Sequence, residues 1–133
     1  MNIQPYLFFD GRCDEAIAFY KKAVGAEVAM LMRYKDSPEK SMVTPENSNL
    51  VMHSSVRIGD ATVMMSDGHG KGQPEFKGFS LSLLPSTAAE AEKLFKALGE
   101  GGKVQMPMSK TFFSSAFGMV ADKFGVSWMI VVM

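Results

Sequence analysis

The chain repeats one pattern, first as Cys13-Asp14-Glu15-Ala16-Ile17-Ala18-Phe19-Tyr20-Lys21 and again as Ala88-Ala89-Glu90-Ala91-Glu92-Lys93-Leu94-Phe95-Lys96. Apolar residues recur in both copies at intervals of three and four, which is typical of a helix that buries one face. Each copy leads through glycine to a valine that begins a predicted strand, Val28 in the first and Val104 in the second. The order of strand, helix and three strands then occurs twice, at an offset of about 75 residues. The sequence therefore predicts an α+β fold of two related βαβββ modules.

Residues that stop or cap helices mark the ends of both predicted helices. The first is preceded by Asp10 and Gly11 and followed by Gly25, which suits the left-handed backbone of a helix end. Thr87 and Glu90 have the spacing of a capping box, in which both side chains satisfy free backbone amides. The two helices are therefore expected to start near residues 13 and 88.

Short apolar or alternating runs between turn residues predict the strands. These lie at about 3–9, 27–34, 50–58, 61–67, 77–84, 103–109, 116–121 and 126–132. The polar segment 35–49 is predicted to be a surface excursion, and the glycine-rich segment 67–77 a mobile lid. We predict one domain over residues 1–133, with module one at about 1–67, a linker at about 68–76 and module two at about 77–133.

The composition excludes several classes of protein. The 14 basic residues balance 14 acidic ones, so no net positive charge favours nucleic acid as a partner. Cys13 is the only cysteine, which excludes an intrachain disulfide and fits a reducing compartment. No secretory signal or apolar run long enough for a bilayer is visible, so a cytoplasmic location and no membrane association are predicted.

The chain contains 12 methionines, several of them on predicted strands. Methionine fills gaps in cores, and it also lines adaptable apolar pockets. A copper(I) site would need Met, Cys and His clustered in a short loop, whereas these residues are spread over separate strands. The sequence therefore favours a core or pocket role over a copper role.

Blocks along the whole chain resemble the PhnB-like branch of the vicinal oxygen chelate superfamily, which includes glyoxalases, bleomycin resistance proteins and dioxygenases. The blocks are Pro5-Tyr6-Leu7-Phe8-Phe9-Asp10-Gly11, Glu15-Ala16-Ile17-Ala18-Phe19-Tyr20, Val24-Gly25-Ala26-Glu27, His53, Met64-Met65-Ser66-Asp67, Thr111-Phe112-Phe113, Phe117-Gly118 and Asp122-Lys123-Phe124-Gly125-Val126-Ser127-Trp128-Met129. The resemblance implies that each module curls a mixed sheet into a half-barrel and that two modules face a small-molecule pocket. It also implies a homodimer, and the sequence leaves open whether modules are exchanged between subunits.

In the glyoxalase-type members of the superfamily, four strand residues hold a divalent metal that polarises substrate oxygens. The resemblance places these positions at Pro5, or Gln4 in a register shifted by one, and at Met65, Phe79 and Met129. Proline, phenylalanine and methionine do not supply the oxygen and imidazole ligands of hard divalent ions. We therefore expect no glyoxalase-type metal and no cofactor, and an apolar or aromatic ligand in contact with Met65, Phe79 and Met129.

His53 and Asp67 are the candidate catalytic residues. They lie on adjacent predicted strands, and Asp67 could orient His53 as a general base, with His69 in the loop just beyond. The alternative is a histidine on the outer sheet face and an aspartate that caps the loop amides of Gly68 and Gly70.

Three aromatic residues complete the predicted ligand site. Trp128 could stack on a planar ligand or fill the core, and Phe112 and Phe113 could close the pocket mouth or a dimer interface. Cys13, on the buried stripe of its helix, is predicted to be a small hydrophobe rather than a nucleophile.

Three functions are compatible with the sequence. The first is binding of a small apolar or aromatic molecule without a glyoxalase-type metal. The second is an enzyme that acts on a small oxygenated substrate through His53 and Asp67, with or without a metal. The third is an interaction protein with a vestigial pocket. Quinone methyl transfer ranks lower, because the chain has no glycine-rich strand-to-helix fingerprint for a nucleotide cofactor.

Overall fold

The structure is a computed structural model that describes residues 1–68 and 74–133. Two compact units divide the chain, Met1–Pro74 and Glu75–Met133. No helix in the described residues is both long and apolar enough to cross a membrane. The candidate residue His69 and residues 70–73 of the predicted lid lie outside the described part of the chain.

The first unit has one helix and one four-stranded sheet. Its elements are β1 (Tyr6–Phe8), α1 (Cys13–Val24), β2 (Glu27–Arg33), β3 (Val51–Ile58) and β4 (Ala61–Ser66). The strand order is β1-β4-β3-β2, with β1 parallel to β4 and the other pairs antiparallel. Two short 3₁₀ turns, Tyr34–Asp36 and Lys40–Met42, lie in the predicted excursion between β2 and β3.

The second unit repeats this arrangement. Its elements are β5 (Leu81–Leu83), α2 (Ala88–Gly99), β6 (Lys103–Ser109), β7 (Phe117–Ala121) and β8 (Ser127–Val131). The order β5-β8-β7-β6 matches the first sheet strand for strand, and β5 is again parallel to its neighbour. The predicted βαβββ repeat is therefore confirmed.

The predicted helix ends are confirmed at three of their marker residues. Gly25 has a φ of 70° and donates its amide to the carbonyl of Tyr20, which ends α1 in a left-handed turn. Thr87 precedes α2, and its hydroxyl accepts the amide of Glu90 at 3.1 Å. Both helices begin where the sequence predicts.

The first strand of each unit is shorter than predicted. We expected strands at 3–9 and 77–84, whereas β1 and β5 pair over only three residues, Tyr6 to Phe8 and Leu81 to Leu83. Each lies at an edge of its sheet and pairs with a single neighbour. An apolar run in the sequence predicts where the chain is extended. Ladder hydrogen bonds also require that each residue has a residue of a neighbouring strand opposite it, which the run itself does not show.

Each sheet buries one face, and the apolar stripe of its own helix is buried as well. In the first unit Val56, Val63 and Met65 are buried, as are Ile17 and Tyr20 of α1. In the second unit Val120, Trp128 and Ile130 are buried, as are Ala91 and Leu98 of α2. Alternation sends the residues between these positions to the opposite, open face of each sheet. That face carries His53 in the first unit and Met129 in the second, two of the candidate functional residues.

Gly102, immediately before β6, allows a close approach of backbone segments. A Cβ at this position would lie 2.1 Å from the backbone oxygen of Ala121 and 2.8 Å from the carbonyl carbon of Asp122. Real Cβ atoms do not come so near to backbone, so a side chain would force β6 away from β7. The glycine is required by space and not by its dihedral angles.

We predict that Gly102→Ala lowers the free energy of unfolding by about 2 kcal/mol, the usual cost of overpacking. Urea denaturation measures the change. Glu100→Ala, two residues earlier on the exposed end of α2, is the control and is expected to change stability by less than about 0.5 kcal/mol. Equal stability of Gly102→Ala and the wild type would contradict the close approach.

Candidate functional site

The second unit has a cavity of about 610 Å³ on the open face of its sheet. Its lining comes from the segment before β5 and from β6, β8 and the turn that precedes β8. The residues are Phe76, Lys77, Gly78, Phe79, Ser80, Gln105, Gly125, Ser127 and Met129. Sites for small molecules usually have volumes of about 300–1,000 Å³, so the cavity is large enough for one.

Two of the predicted pocket residues, Phe79 and Met129, lie in this cavity. Met129 is on β8, and Phe79 belongs to the extended segment before β5. Phe79 is 44% exposed, so its ring is available for contact with a ligand. Together with Phe76 these side chains form the apolar part of the cavity wall.

A chain of hydrogen bonds supplies the polar part of the wall. The hydroxyl of Ser127 donates to Oε1 of Gln105 at 2.9 Å, and the hydroxyls of Ser80 and Ser127 lie 2.8 Å apart. Because the Ser127 proton points to Gln105, Ser80 donates to Ser127. This leaves the amide NH₂ of Gln105 as a donor and the oxygen of Ser80 as an acceptor. The cavity therefore presents both kinds of polar group beside its apolar surface.

The cavity also contains four residues that were not predicted from the sequence, namely Ser80, Gln105, Ser127 and Lys77. Ser80 and Gln105 are ordinary polar residues with no motif around them, and the block that contains Ser127 indicated the family but no role for this residue. Only the parallel pairing of β5 with β8 brings Ser80 next to Ser127. Ser127 is the only polar residue of β8, and this was the one signal that could have pointed to it.

Met65 and Trp128 are buried and do not line the cavity of the second unit, and for Trp128 this agrees with the core alternative that the sequence left open. Met65 is fully buried on the face of the first sheet that forms the core, whereas its neighbour Met64 lies on the open face. Trp128 is 2% exposed, and its indole N–H donates to Oδ2 of Asp122 at 2.9 Å. In both strands the register places the residue one position away from the open face.

Asp67 is a structural residue. Its Oδ1 accepts the backbone amides of Gly11 and Cys13, each at 2.8 Å, and its Oδ2 accepts the amide of Val51 at 2.9 Å. The carboxylate is 2% exposed and joins the start of α1 to the start of β3. Backbone amides occupy both oxygens of Asp67, which does not favour the predicted pairing with His53. The predicted alternative was capping of the Gly68 and Gly70 amides; the Gly68 amide donates to the hydroxyl of Ser66 instead, and Gly70 lies outside the described residues.

His53 lies on the open face of the first sheet. Its Nδ1 is 2.9 Å from the hydroxyl of Tyr6, and the two rings are 5.5 Å apart. Tyr6 in turn stacks on Phe8 with ring centroids 4.8 Å apart. The partner that orients His53 is therefore a phenol and not a carboxylate.

Phe112 and Phe113 lie in the segment between β6 and β7. Phe112 is fully exposed, and its ring meets that of Phe113 edge-on at 5.1 Å. Phe113 contacts Phe117 in the same way at 5.3 Å. Their assignment to a pocket mouth or to an interface between copies stays a prediction.

The described residues bring no three His, Cys, Asp or Glu side chains together in a group that could hold a metal ion. Of the positions that the superfamily resemblance marks, Pro5, Phe79 and Met129 carry no ligand for a hard cation, and Met65 is in the core. The residues present do not fit a glyoxalase-type centre.

Cys13 is fully buried at the start of α1. Burial, together with the negative charges of Asp67 and Asp14, raises the pKa of its thiol to about 12, and a hydrogen bond with Ser54 and the charge of Arg33 act in the opposite direction. The thiolate is the reactive form of cysteine, so this side chain is not a nucleophile at neutral pH.

Comparison with known proteins gives one family. The family described as 3-demethylubiquinone-9 3-methyltransferase matches residues 1–131. Protein YjdN of Escherichia coli (strain K12) is 36% identical, with 99% of this chain and 95% of that protein covered. The crystal structure of protein PA1353 from Pseudomonas aeruginosa is 40% identical, with a TM-score of 0.88, and the match covers 99% of this chain and 97% of that one.

Solved structures also confirm the fold. A putative 3-demethylubiquinone-9 3-methyltransferase, PhnB protein, from Bacillus cereus is 25% identical with a TM-score of 0.82, and the whole of both chains is covered. A glyoxalase-related enzyme from Fulvimarina pelagi is 14% identical with a TM-score of 0.66, over all of this chain and 88% of that one. This last similarity shows the shared fold alone, which is the vicinal oxygen chelate fold that the sequence predicted.

We predict that Asp67→Asn lowers the free energy of unfolding by about 3 kcal/mol. The amide keeps the shape of the carboxylate but presents an NH₂ group to a buried backbone N–H, and an unpaired buried donor costs about 1–3 kcal/mol. Asp60→Asn, in the exposed turn between β3 and β4, should change the value by less than about 0.5 kcal/mol. Urea denaturation measures the free energy of unfolding of both variants. An Asp67→Asn variant that is as stable as the wild type would refute the structural role of Asp67.

We predict that iodoacetamide does not alkylate Cys13 in the native protein near pH 8 but does so fully in denaturant, because the native thiol has a pKa of about 12. Mass spectrometry measures the adduct. In the unfolded chain the thiol has a pKa of 9.0. The stability that the protonated, buried thiol contributes is therefore fully present below pH 9.0 and is lost as the pH rises towards about 12. Rapid native alkylation would contradict the burial.

Proposed function

The chain belongs to the 3-demethylubiquinone-9 3-methyltransferase-like, or PhnB-like, family of vicinal oxygen chelate fold proteins, and we propose that it binds a small aromatic molecule with oxygen substituents. The proposed site is the cavity of the second unit. The observation that carries the proposal is the apolar wall of Phe79 and Met129 beside the free amide of Gln105. Sites of this kind use apolar area for affinity and a few polar groups for orientation.

The apolar wall suits a planar ring. Phe76 and Phe79 supply aromatic surface, and the flexible thioether of Met129 adapts to the edge of a ring. A ring that stacks on Phe79 would displace water from a side chain that is 44% exposed. Burial of apolar area at about 25 cal/mol per Å² then favours binding.

The polar groups suit an oxygen atom on that ring. The Gln105 amide donates, the Ser80 oxygen accepts, and Lys77, whose side chain carries a positive charge, belongs to the same lining. A phenol or quinone oxygen can accept from Gln105, and a phenolate also gains from the positive charge of Lys77. The ligand class is therefore an oxygenated aromatic rather than a plain hydrocarbon.

Binding is proposed here without methyl transfer. The family description names a methyltransferase acting on a demethylated quinone, which is an oxygenated ring of the proposed class. Methyl transfer also needs a methyl donor, and the chain has no glycine-rich strand-to-helix fingerprint for a nucleotide cofactor. The enzymatic alternative through His53 and Asp67 has lost its orienting carboxylate, because Asp67 holds backbone amides.

The test uses 1-naphthol and naphthalene, which differ by a single oxygen. Isothermal titration calorimetry is expected to show tighter binding of 1-naphthol to the wild type. Gln105→Leu removes the amide donor and should weaken 1-naphthol about tenfold, the equivalent of about 1.4 kcal/mol, with little effect on naphthalene. Phe79→Ala should weaken both compounds.

Val104→Ala is the matched control, because Val104 is the exposed neighbour of Gln105 on β6. It should bind both compounds as the wild type does. The proposal fails if neither compound binds, or if Gln105→Leu and Phe79→Ala bind like the control. Tight retention of nickel, zinc or manganese after chelation would separately refute the proposed absence of a glyoxalase-type metal.

A further inference from the structure

The open face of the first sheet brings one histidine and three methionines together. Cross-strand pairing puts Met32 of β2 directly opposite His53 of β3, and Met30 opposite Ser55. On the other side of β3, Met64 of β4 is also opposite Ser55. Paired residues point to the same face of a sheet, so all four soft ligands share the face that Tyr6 and His53 define.

The sequence alone argued against such a cluster, because the methionines belong to three different stretches of chain. The register of β2, β3 and β4 nevertheless makes these residues neighbours in the sheet. Side chains directly opposite each other have Cβ atoms about 4.5–5.5 Å apart, and diagonal neighbours are about 7–8 Å apart. Met32 is the direct neighbour of His53, and Met30 and Met64 are each one step diagonal to it. The sulfur of methionine lies two bonds beyond Cβ, which lets all three thioethers reach the imidazole ring.

A β-bulge makes this arrangement possible. The register of β2 against β3 shifts between Val28 and Met30, and again between Met32 and Arg33. Val28 pairs with the buried Val56, whereas Met30 pairs with Ser55 on the open face. Bulges re-aim side chains, and this one turns Met30 and Met32 to the same side as His53.

His53 is already oriented as a metal ligand. The pair formed by its Nδ1 and the Tyr6 hydroxyl at 2.9 Å fixes the ring, and stacking on Phe8 holds Tyr6. When Nδ1–H donates to the phenol oxygen, the lone pair of Nε2 is free to bind a cation. Ligating histidines usually have such a partner on their second nitrogen.

The ligand set selects a soft cation. Thioether sulfur prefers Cu(I), whereas calcium, magnesium and manganese prefer carboxylate and carbonyl oxygen. Further along β2 and β3, Glu27 and Arg57 form an ion pair at 2.7 Å that has no net charge. A set of neutral ligands therefore suits a monovalent cation better than a divalent one.

We propose that the first sheet binds one soft monovalent cation, Cu(I), through Nε2 of His53 and the thioethers of Met30, Met32 and Met64. The site is reachable from solvent, since Met30 is 43% exposed and the other three side chains are partly exposed. Its residues are not those of the proposed aromatic site, so either proposal can fail without the other.

The test titrates the full-length, metal-free protein with Cu(I) under anaerobic conditions against a chromophoric Cu(I) chelator. We expect one ion per chain with a Kd below about 1 μM. Met32→Leu and Met64→Leu remove a sulfur at nearly constant volume, and each should weaken binding by about tenfold or more. His53→Gln should weaken it further. Ag(I), which has no accessible redox change, should give the same order in native mass spectrometry.

Two control variants test whether Cu(I) binds at other sulfur atoms of the chain. Met42→Leu removes an exposed methionine outside the cluster, and Cys13→Ala removes the single thiol. Both should bind Cu(I) as the wild type does. The proposal is overturned if the wild type does not compete with the chelator, if the Met32 and Met64 variants keep full affinity, or if Cys13→Ala loses it. Thermal unfolding of the leucine variants establishes that they remain folded.

Discussion

The first unit depends on one buried carboxylate. Asp67 accepts three backbone amides, from Gly11, Cys13 and Val51. These amides belong to the turn before α1, to the first residue of α1 and to the first residue of β3, and Asp67 itself follows β4. A single side chain therefore joins the helix to two strands of the sheet. Because the first amides of a helix have no partner within it, a negative charge there also stabilises the helix dipole.

This constraint fixes the faces of β4. With Asp67 turned towards the helix, alternation along the strand places Met65 and Val63 in the core and Met64 on the open face. The hydroxyl of Tyr34 donates to the carbonyl of Gly68, one residue after Asp67, and holds the same corner. The open face of the unit, with Tyr6, His53 and the exposed methionines, is therefore a consequence of where one carboxylate is bound.

The sequence predicted the elements well because helices and strands leave periodic patterns. The repeat from Cys13 and from Ala88, the glycine after α1 and the threonine before α2 were enough to place both helices. Faces were harder, because a shift of one residue in a strand exchanges core and surface, which is why the sequence assigned Met65 to a pocket and left Trp128 between pocket and core. The role of Asp67 could not be predicted either, since its partners are backbone amides, which carry no residue identity.

The two units share a topology but differ in what their open faces offer. In the second unit the buried carboxylate is Asp122, which accepts the amides of Phe124 and Val126 and the indole N–H of Trp128. Asp122 therefore stabilises the turn between β7 and β8 and holds Trp128 in the core. The open face of the same sheet carries the hydroxyl and amide groups of the cavity. The first sheet instead presents thioethers and an imidazole. Once the core face of each repeated unit is packed, the residues of its open face can differ. In this protein the open face of the second sheet carries hydrogen-bonding groups, and that of the first sheet carries thioethers and an imidazole.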